Sequence, residues 1–413
     1  MEQQKSRVRA EVKLPLILIH TPFGLKFFDR VAKWRAAKVY ADFNTYLMPA
    51  ITGLAIFLII GSLMIMFSNS TARGAVADVG PQANLLIPGL NPFLPITYGW
   101  AALIITIIIH EAGHGIVARV YNIRVDSTGL VLFLGLPIGA FVNIERDELN
   151  KATLKQKSAV LTAGPLNNMI LAGASLFALF LVVSTLTPLP PDPDAPQFGV
   201  MVANVRGGSL SESIGMQPQS VIQYVDGQRV EAIEDLGPLL RDNLGRTIDI
   251  TWVDKSYNTI TRQVTLPAAV EPGRGILGVD VTPLSPDAQP VLDRYKSAFG
   301  SNPLALLLPP TMQPTVVPYS DVMAPRYTSS VLGDSFVFGP VANLLFWLWF
   351  INFNVGIFNA LPIGPLDGGQ LYGALIEKRA KSKVLAKNAN MLLTLVMVAI
   401  VAAAILVPYV PFE

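Results

Sequence analysis

Five stretches of this chain run for about 20 residues or more with almost no charge, at 47–67, 98–121, 158–186, 336–361 and 384–407. A helix needs about 20 apolar residues to cross the hydrocarbon core of a bilayer, so the five predict a polytopic α-helical membrane protein. Composition agrees: of 413 residues, 51% are hydrophobic and only 15% charged, outside the usual range of soluble domains. The charged opening, MEQQKSRVRAEVK, does not read as a cleavable signal peptide. The piece after it, LPLILIHTPFGLKFF, is short and broken by Pro22 and Gly24. It could lie on the membrane surface or be an ordinary cytosolic helix or loop, and both readings are open.

Charge distribution orients the spans. Arg7, Arg9, Lys13, Lys26, Arg30, Lys33, Arg35 and Lys38 crowd the first flank, which the positive-inside rule places in the cytosol. Five alternations put the basic loops around Arg146–Lys157 and Lys378–Lys387 on the same side. The expected topology is N terminus in and C terminus out, in the cell membrane. A net charge of only +2 gives no reason to expect nucleic acid.

The chain divides accordingly. Residues 1–46 are expected as a cytosolic segment, 47–188 as the first part of the membrane domain, 189–285 as an extracytosolic domain, 286–335 as a Pro-rich extracytosolic linker and 336–413 as the second membrane part. Within the third piece, GGSLSESIGMQPQSVIQYVDGQRV has the order of a small-residue loop, a short helix, a turn and a strand ending at Asp226-Gly227. LGPLLRDNLGRTIDITWV follows as helix then strand. This order resembles a PDZ module, which implies a small α+β domain able to hold peptide tails. Between the second and third spans, GLVLFLGLPIGAFVNI is apolar, glycine-punctuated and too short to cross as a helix. It reads as a re-entrant β-hairpin or a buried loop, because irregular backbone at membrane depth must have its polar groups satisfied by protein or water.

The chemistry sits in TIIIHEAGHGIVARV. His110 and His114 are four apart, hence on one helix face, with Glu111 beside them. Cysteine is absent and histidine occurs three times, so a transition-metal site must draw on these histidines and on carboxylates. Ionisable groups inside a span cost about 3 kcal/mol each on insertion scales. Three of them within five residues therefore argue for a metal, and the ligand types argue for Zn2+. Glu111 then reads as the general base for a metal-activated water attacking a carbonyl. His110 lies about three turns before Asn122, on the order of 15 Å from the cytosolic end of its span. Asp367 is the only carboxylate between Asp334 and Glu377, on the same side as the histidines, and is the natural third ligand. His20 has no partner at ligand spacing and receives no role.

With Asn359, Pro362, Asp367 and Gly368 in place, the sequence resembles the site-2 protease family of intramembrane zinc metalloproteases, whose second signature has that spacing. Gly164, Pro165 and Asn168 match the family's Gly-Pro-x-x-Asn element. The resemblance implies hydrolysis of a peptide bond within transmembrane protein substrates. It also implies that the 129–144 segment is a re-entrant hairpin whose edge pairs with unwound substrate. Gly135 and Gly139 there are candidate substrate-binding positions, as is Asn168. Asn359 is a candidate oxyanion donor. Either asparagine could instead be interhelical packing glue. Two other readings compete: a zincin of another family with a cytosolic cleft, and an inactive scaffold that binds partners through the PDZ-like domain. Retention of both histidines and the glutamate counts against the scaffold. Oligomeric state is open.

Overall fold

The computed structural model describes residues 8–133, 136–190, 196, 198–269, 275–284, 288–307, 309–312 and 314–410. The chain forms two compact units, Met1–Phe177 with Leu344–Glu413, and Ala178–Asn343.

In the first unit, strands β1 (Arg9–Lys13) and β2 (Leu16–Thr21) form an antiparallel hairpin, followed by helices α1 (Leu25–Val31) and α2 (Arg35–Asn44). Then come α3 (Met48–Ser68), α4 (Ser70–Val79) and the histidine-bearing α5 (Ile96–Val120). Strands β3 (Val125–Phe133) and β4 (Leu136–Ile144) follow, with the short α6 (Arg146–Lys151) and the long α7 (Leu154–Ser184) after them. The four strands make one antiparallel sheet in the order β1-β2-β3-β4, so β4 is an edge. A hairpin between the second and third spans is thus present, and the N-terminal apolar piece, read as lying on the membrane surface or as a cytosolic helix or loop, contains a strand. Its alternation LILIHT suits a pleated surface better than a helix face.

His20 turns out to have partners. Its Nδ1 lies 3.0 Å from Ser127 Oγ, and its ring meets Phe141 edge-on at 4.9 Å between centroids. Across the sheet His20 pairs with Gly129, and Gly129 with Phe141. A side chain at 129 would strike both the Ile19 carbonyl and the Phe141 ring, so glycine is required for this packing.

α5 ends where Asn122 adopts a left-handed conformation (φ 58°). The Ile123 N–H then returns to the Ala118 carbonyl at 2.9 Å and the Asn122 N–H to that of Arg119 at 3.1 Å, a Schellman closure that turns the chain into β3. α5 packs on α7 through small residues: a Cβ on Gly113 would be 2.6 Å from the Ala163 carbonyl. Ala118, Ala159 and Ala163 are fully buried at the same seam, the small-residue packing that lets membrane helices approach.

In the second unit, β6 (Val200–Val205), α8 (Leu210–Ser213), β7 (Val221–Val225), β8 (Gln228–Arg229), α9 (Ile233–Arg241), β9 (Thr247–Val253), β10 (Thr259–Thr265) and β11 (Val279–Pro283) follow the short β5 (Leu186–Pro188). The sheet runs β10-β9-β7-β6-β11, with β8 on β7. Asp226 and Gly227 both take positive φ, 50° and 74°, as a tight hairpin turn demands. Leu236 and Leu240, one turn apart on α9, cover a core that includes Val200, Ile222, Ile250 and Trp252.

The Pro-rich stretch is more ordered than a linker. It contains α10 (Gln289–Ser301), whose buried Tyr295 shares a 2.7 Å hydrogen bond with the hydroxyl of Tyr319, and β12 (Tyr327–Ser329), paired with β5. Burial pushes the Tyr295 hydroxyl above the ordinary tyrosine range. α11 (Ser335–Asn359), α12 (Asp367–Arg379) and α13 (Lys383–Leu406) complete the chain.

Among the described residues five helices are long and apolar enough to cross a membrane: Met48–Ser68, Ile96–Val120, Leu154–Ser184, Ser335–Asn359 and Lys383–Tyr409. They coincide within a few residues with the stretches found in the sequence. α3 and α13 leave large apolar side chains such as Phe57, Met64, Leu392 and Leu395 exposed. A helix apolar all round with bare apolar surface suits lipid, not water.

Candidate metal centre

α5 carries His110 and His114 on its inward face, and α12 begins at Asp367. His110 Nε2 lies 3.2 Å from Asp367 Oδ2, His114 Nε2 lies 3.4 Å from the same oxygen, and the two Nε2 atoms are 3.2 Å apart. Both histidines are buried. The structure therefore brings together the three residues singled out as ligands, from segments more than 250 positions apart.

The seven residues before Asp367 are held from two sides. Thr52 Oγ1 on α3 donates to the Ala360 carbonyl at 2.7 Å, and Thr394 Oγ1 on α13 accepts from the Gly364 N–H at 3.1 Å. Gly368 and Gly369 let the start of α12 press against this loop: a Cβ on Gly368 would be 2.6 Å from the Leu361 carbonyl, and one on Gly369 2.7 Å from Gly364 N. Two glycines after Asp367 are thus a packing requirement.

The imidazoles are oriented from behind. His114 Nδ1 lies 2.7 Å from the Val160 carbonyl. A carbonyl only accepts, so Nδ1 carries the proton and Nε2 presents a lone pair. His110 Nδ1 lies 3.0 Å from Asn168 Nδ2, while Asn168 Oδ1 is buried without a partner. Turning the amide over puts that oxygen on Nδ1, and His110 then also offers a lone pair at Nε2. Two imidazole lone pairs and a carboxylate oxygen facing one another at 3.2–3.4 Å repel unless a cation lies among them. Two nitrogens and one oxygen from three protein ligands are the donor set of a catalytic zinc site. Gly164 supports the same fit: a Cβ there would stand 2.6 Å from His110 Nε2 and closer to His114 Nε2, filling the space in front of the ligating atoms.

Glu111, next to His110 on α5, accepts through Oε2 from the Val142 N–H of β4 at 2.9 Å. The remaining candidates are less closely joined. Asn359, the last residue of α11, donates through Nδ2 to the Val355 carbonyl at 3.0 Å, and among the described residues no hydrogen bond ties it to the cluster. Gly139 lies on β4 opposite Val131, and Gly135 falls outside the described residues. Sequence reasoning missed Asn167. Its Nδ2 donates to the Ile109 carbonyl at 3.1 Å, and its Oδ1 accepts from the Tyr40 hydroxyl at 2.6 Å. The doubled asparagine of AGPLNN was the available signal.

A profile described as Peptidase family M50 matches residues 98–404. An uncharacterised protein of Methanocaldococcus jannaschii is 24% identical over 378 residues, covering 91% of this chain and 82% of that protein. A Clostridium acetobutylicum protein named "Putative zinc metalloprotease" is 23% identical over 320 residues, 71% of this chain and 89% of its own length. In Arabidopsis thaliana, a protein named "Probable membrane metalloprotease" and designated chloroplastic is 24% identical over 339 residues, 67% of this chain and 70% of its own length.

Proposed function

Since the chain belongs to peptidase family M50, the site-2 protease family, we propose that it is an intramembrane zinc endopeptidase, hydrolysing peptide bonds within or near transmembrane segments of membrane proteins. The observation that carries this reading is the convergence of His110, His114 and Asp367, with Glu111 beside them, on a helix apolar enough to span a bilayer.

His110, His114 and Asp367 would hold the ion, which would supply Lewis-acid activation of water and of the scissile carbonyl. Glu111 takes the proton from the attacking water and returns it to the leaving amine. The Val142 N–H holds one oxygen of its carboxylate, which ties the base to an edge strand. That edge is suited to pairing with a substrate segment, because a helix hides its carbonyls and must unwind before attack. A Cβ at Gly139 on that strand would meet nothing nearer than Val131 at 3.8 Å, which leaves room for this approach. Asn168 orients His110, and Asn359 can reach a developing oxyanion only after leaving the Val355 carbonyl.

The same reading takes the N terminus as cytosolic and residues 189–285 as an extracytosolic PDZ-like domain that meets peptide tails. The hairpin turn at Asp226-Gly227 and the helix α9 over the sheet support the PDZ-like part of this reading, and the basic residues flanking the spans support its orientation.

The test compares wild type with Glu111→Gln, measuring bound zinc by mass spectrometry and cleavage of single-span substrates. The expected result is about one zinc per chain in both, with cleavage by wild type alone. Wild type without zinc, prepared free of chelators, overturns the metal assignment. Zinc without cleavage across the substrate panel favours a partner-binding scaffold.

A further inference from the structure

Before the first span the chain builds two short helices that the chemistry does not use. α2 ends only four residues before α3, and α1 ends three residues before Trp34, the N-cap of α2, so the pair adjoins the point where the first span enters its membrane. α2 has two distinct faces. Ala37, Ala41 and Asn44 are buried, whereas Val39 and Phe43, spaced for the opposite face, are 61% and 65% exposed, and Tyr46 just past the helix end is 73% exposed. Phe23 and Phe27 before and on α1, and Trp34 between the helices, are also more than half exposed. So many bare aromatics in about 25 residues are costly in water, and aromatic side chains concentrate at membrane interfaces.

Charge says which surface covers them. Between Gly24 and Tyr46 stand five basic residues, Lys26, Arg30, Lys33, Arg35 and Lys38, and two acidic ones, Asp29 and Asp42. All five basic residues are exposed, and among the described residues none is in an ion pair. Both acids are paired with cations from other elements: Asp29 with Arg119 at 3.1 Å and Asp42 with Lys155 at 2.6 Å. What remains facing outward is uncompensated positive charge interleaved with aromatic rings. A basic, aromatic-bearing helix pair abutting a membrane span is complementary to an anionic headgroup layer.

We propose that α1 and α2 form an interfacial foot that binds anionic phospholipid in the leaflet where α3 begins. The foot is braced on the metal-bearing helix. Phe28 of α1 fills the space above Gly115 of α5, where a Cβ would be 2.5 Å from its ring, and Tyr40 of α2 hydrogen-bonds Asn167, which holds the Ile109 carbonyl next to His110. Lipid bound here therefore bears on the position of His110 without touching the reacting atoms.

The test uses the full chain in nanodiscs of phosphatidylcholine with one tenth phosphatidylglycerol. Lipid retained by the protein is counted by native mass spectrometry for wild type and for the combined variant K26Q/R30Q/K33Q/R35Q/K38Q. Wild type should retain phosphatidylglycerol enriched about threefold or more over the bulk ratio, an enrichment that falls with added salt, and the variant should return it to near the bulk ratio. Trp34 is read separately, as the fluorescence lost on Trp34→Phe, and brominated phosphatidylcholine should quench it. Bound zinc and helix content measured on each variant show that the chain is folded. Equal enrichment in wild type and variant overturns the proposal. So does a Trp34 signal that brominated lipid does not quench, including the case in which a salt-resistant dimer shields it and the face belongs to a second copy.

Discussion

The Oε2 atom of Glu111 accepts the Val142 N–H at 2.9 Å, so the proposed general base is anchored to the backbone of an edge strand. A base worth about 10²- to 10⁴-fold in rate depends on its reach. Glu111→Asp withdraws the carboxylate by one methylene from Val142 while keeping its charge. Cleavage should drop by about 10²-fold or more with bound zinc unchanged. Single-turnover kinetics alongside metal analysis check this, and near-normal cleavage would show that the Val142 contact does not position the base.

Gly164 faces the ligating nitrogens so closely that any Cβ occupies their coordination space. Gly164→Ala should reduce zinc per chain on the order of tenfold or more, with helix content unchanged, because alanine is the better helix former. Gly173 lies on the same helix with nothing within 4 Å of its Cβ position, so Gly173→Ala should keep its zinc. Loss of metal in both variants would point to general disturbance of α7.

The hydrogen bond from His110 to Asn168 should set the imidazole tautomer. Asn168→Ala removes the acceptor and should weaken zinc binding by about 10- to 100-fold, while Asn168→Asp keeps an acceptor and restores most of it. A competition titration with a chromophoric chelator gives both constants. Equal affinities for the two variants would mean that Asn168 only packs.

The sequence made the five spans, the His110–His114 pair and the 129–144 hairpin legible, because each rests on a local signal: long uncharged runs, an i, i+4 spacing, and glycines inside an apolar segment. Asp367 stands out instead by its isolation as a carboxylate and by the Asn359–Gly368 signature. What it hid was non-local. Nothing near His20 announces Ser127 or Phe141, more than a hundred positions away, so a strand pairing with β3 read as a surface segment or loop. The acceptor of His114 is the Val160 backbone carbonyl, which has no side-chain signature. Asn167 stood next to a motif asparagine and was overlooked because a side chain's partner depends on helix rotation. Asn359 matched the signature, yet its amide is occupied by its own helix, a state that spacing does not report.

Tyr40 joins α2 to α7 through a 2.6 Å hydrogen bond to Asn167, and burial pushes its hydroxyl up to about 12. Tyr40→Phe should destabilise the protein by about 1 kcal/mol, read as a lower Tm in detergent. The folded value lies above the ordinary tyrosine value near 10, so this contribution is complete below about pH 10 and is lost as pH rises through about 12. The difference in Tm between wild type and variant should be constant from pH 6 to 9 and shrink above pH 10. A difference that changes between pH 6 and 8 would assign the effect to another group.

The loop that delivers Asp367 to the histidines is pinned by Thr52 and Thr394. When a chelator strips the metal, three acceptors 3.2–3.4 Å apart repel, and these two hydroxyls are what keep the carboxylate within reach for rebinding. Thr52→Val and Thr394→Val preserve side-chain shape and remove only the hydrogen bonds. Each should weaken zinc by about tenfold, and together by more, since they hold opposite ends of one loop. Hydrogen exchange across residues 360–370 should rise in the metal-free double variant and be suppressed again on adding zinc. Unchanged zinc affinity in the double variant would mean that the Gly368 and Gly369 packing alone sets the position of Asp367.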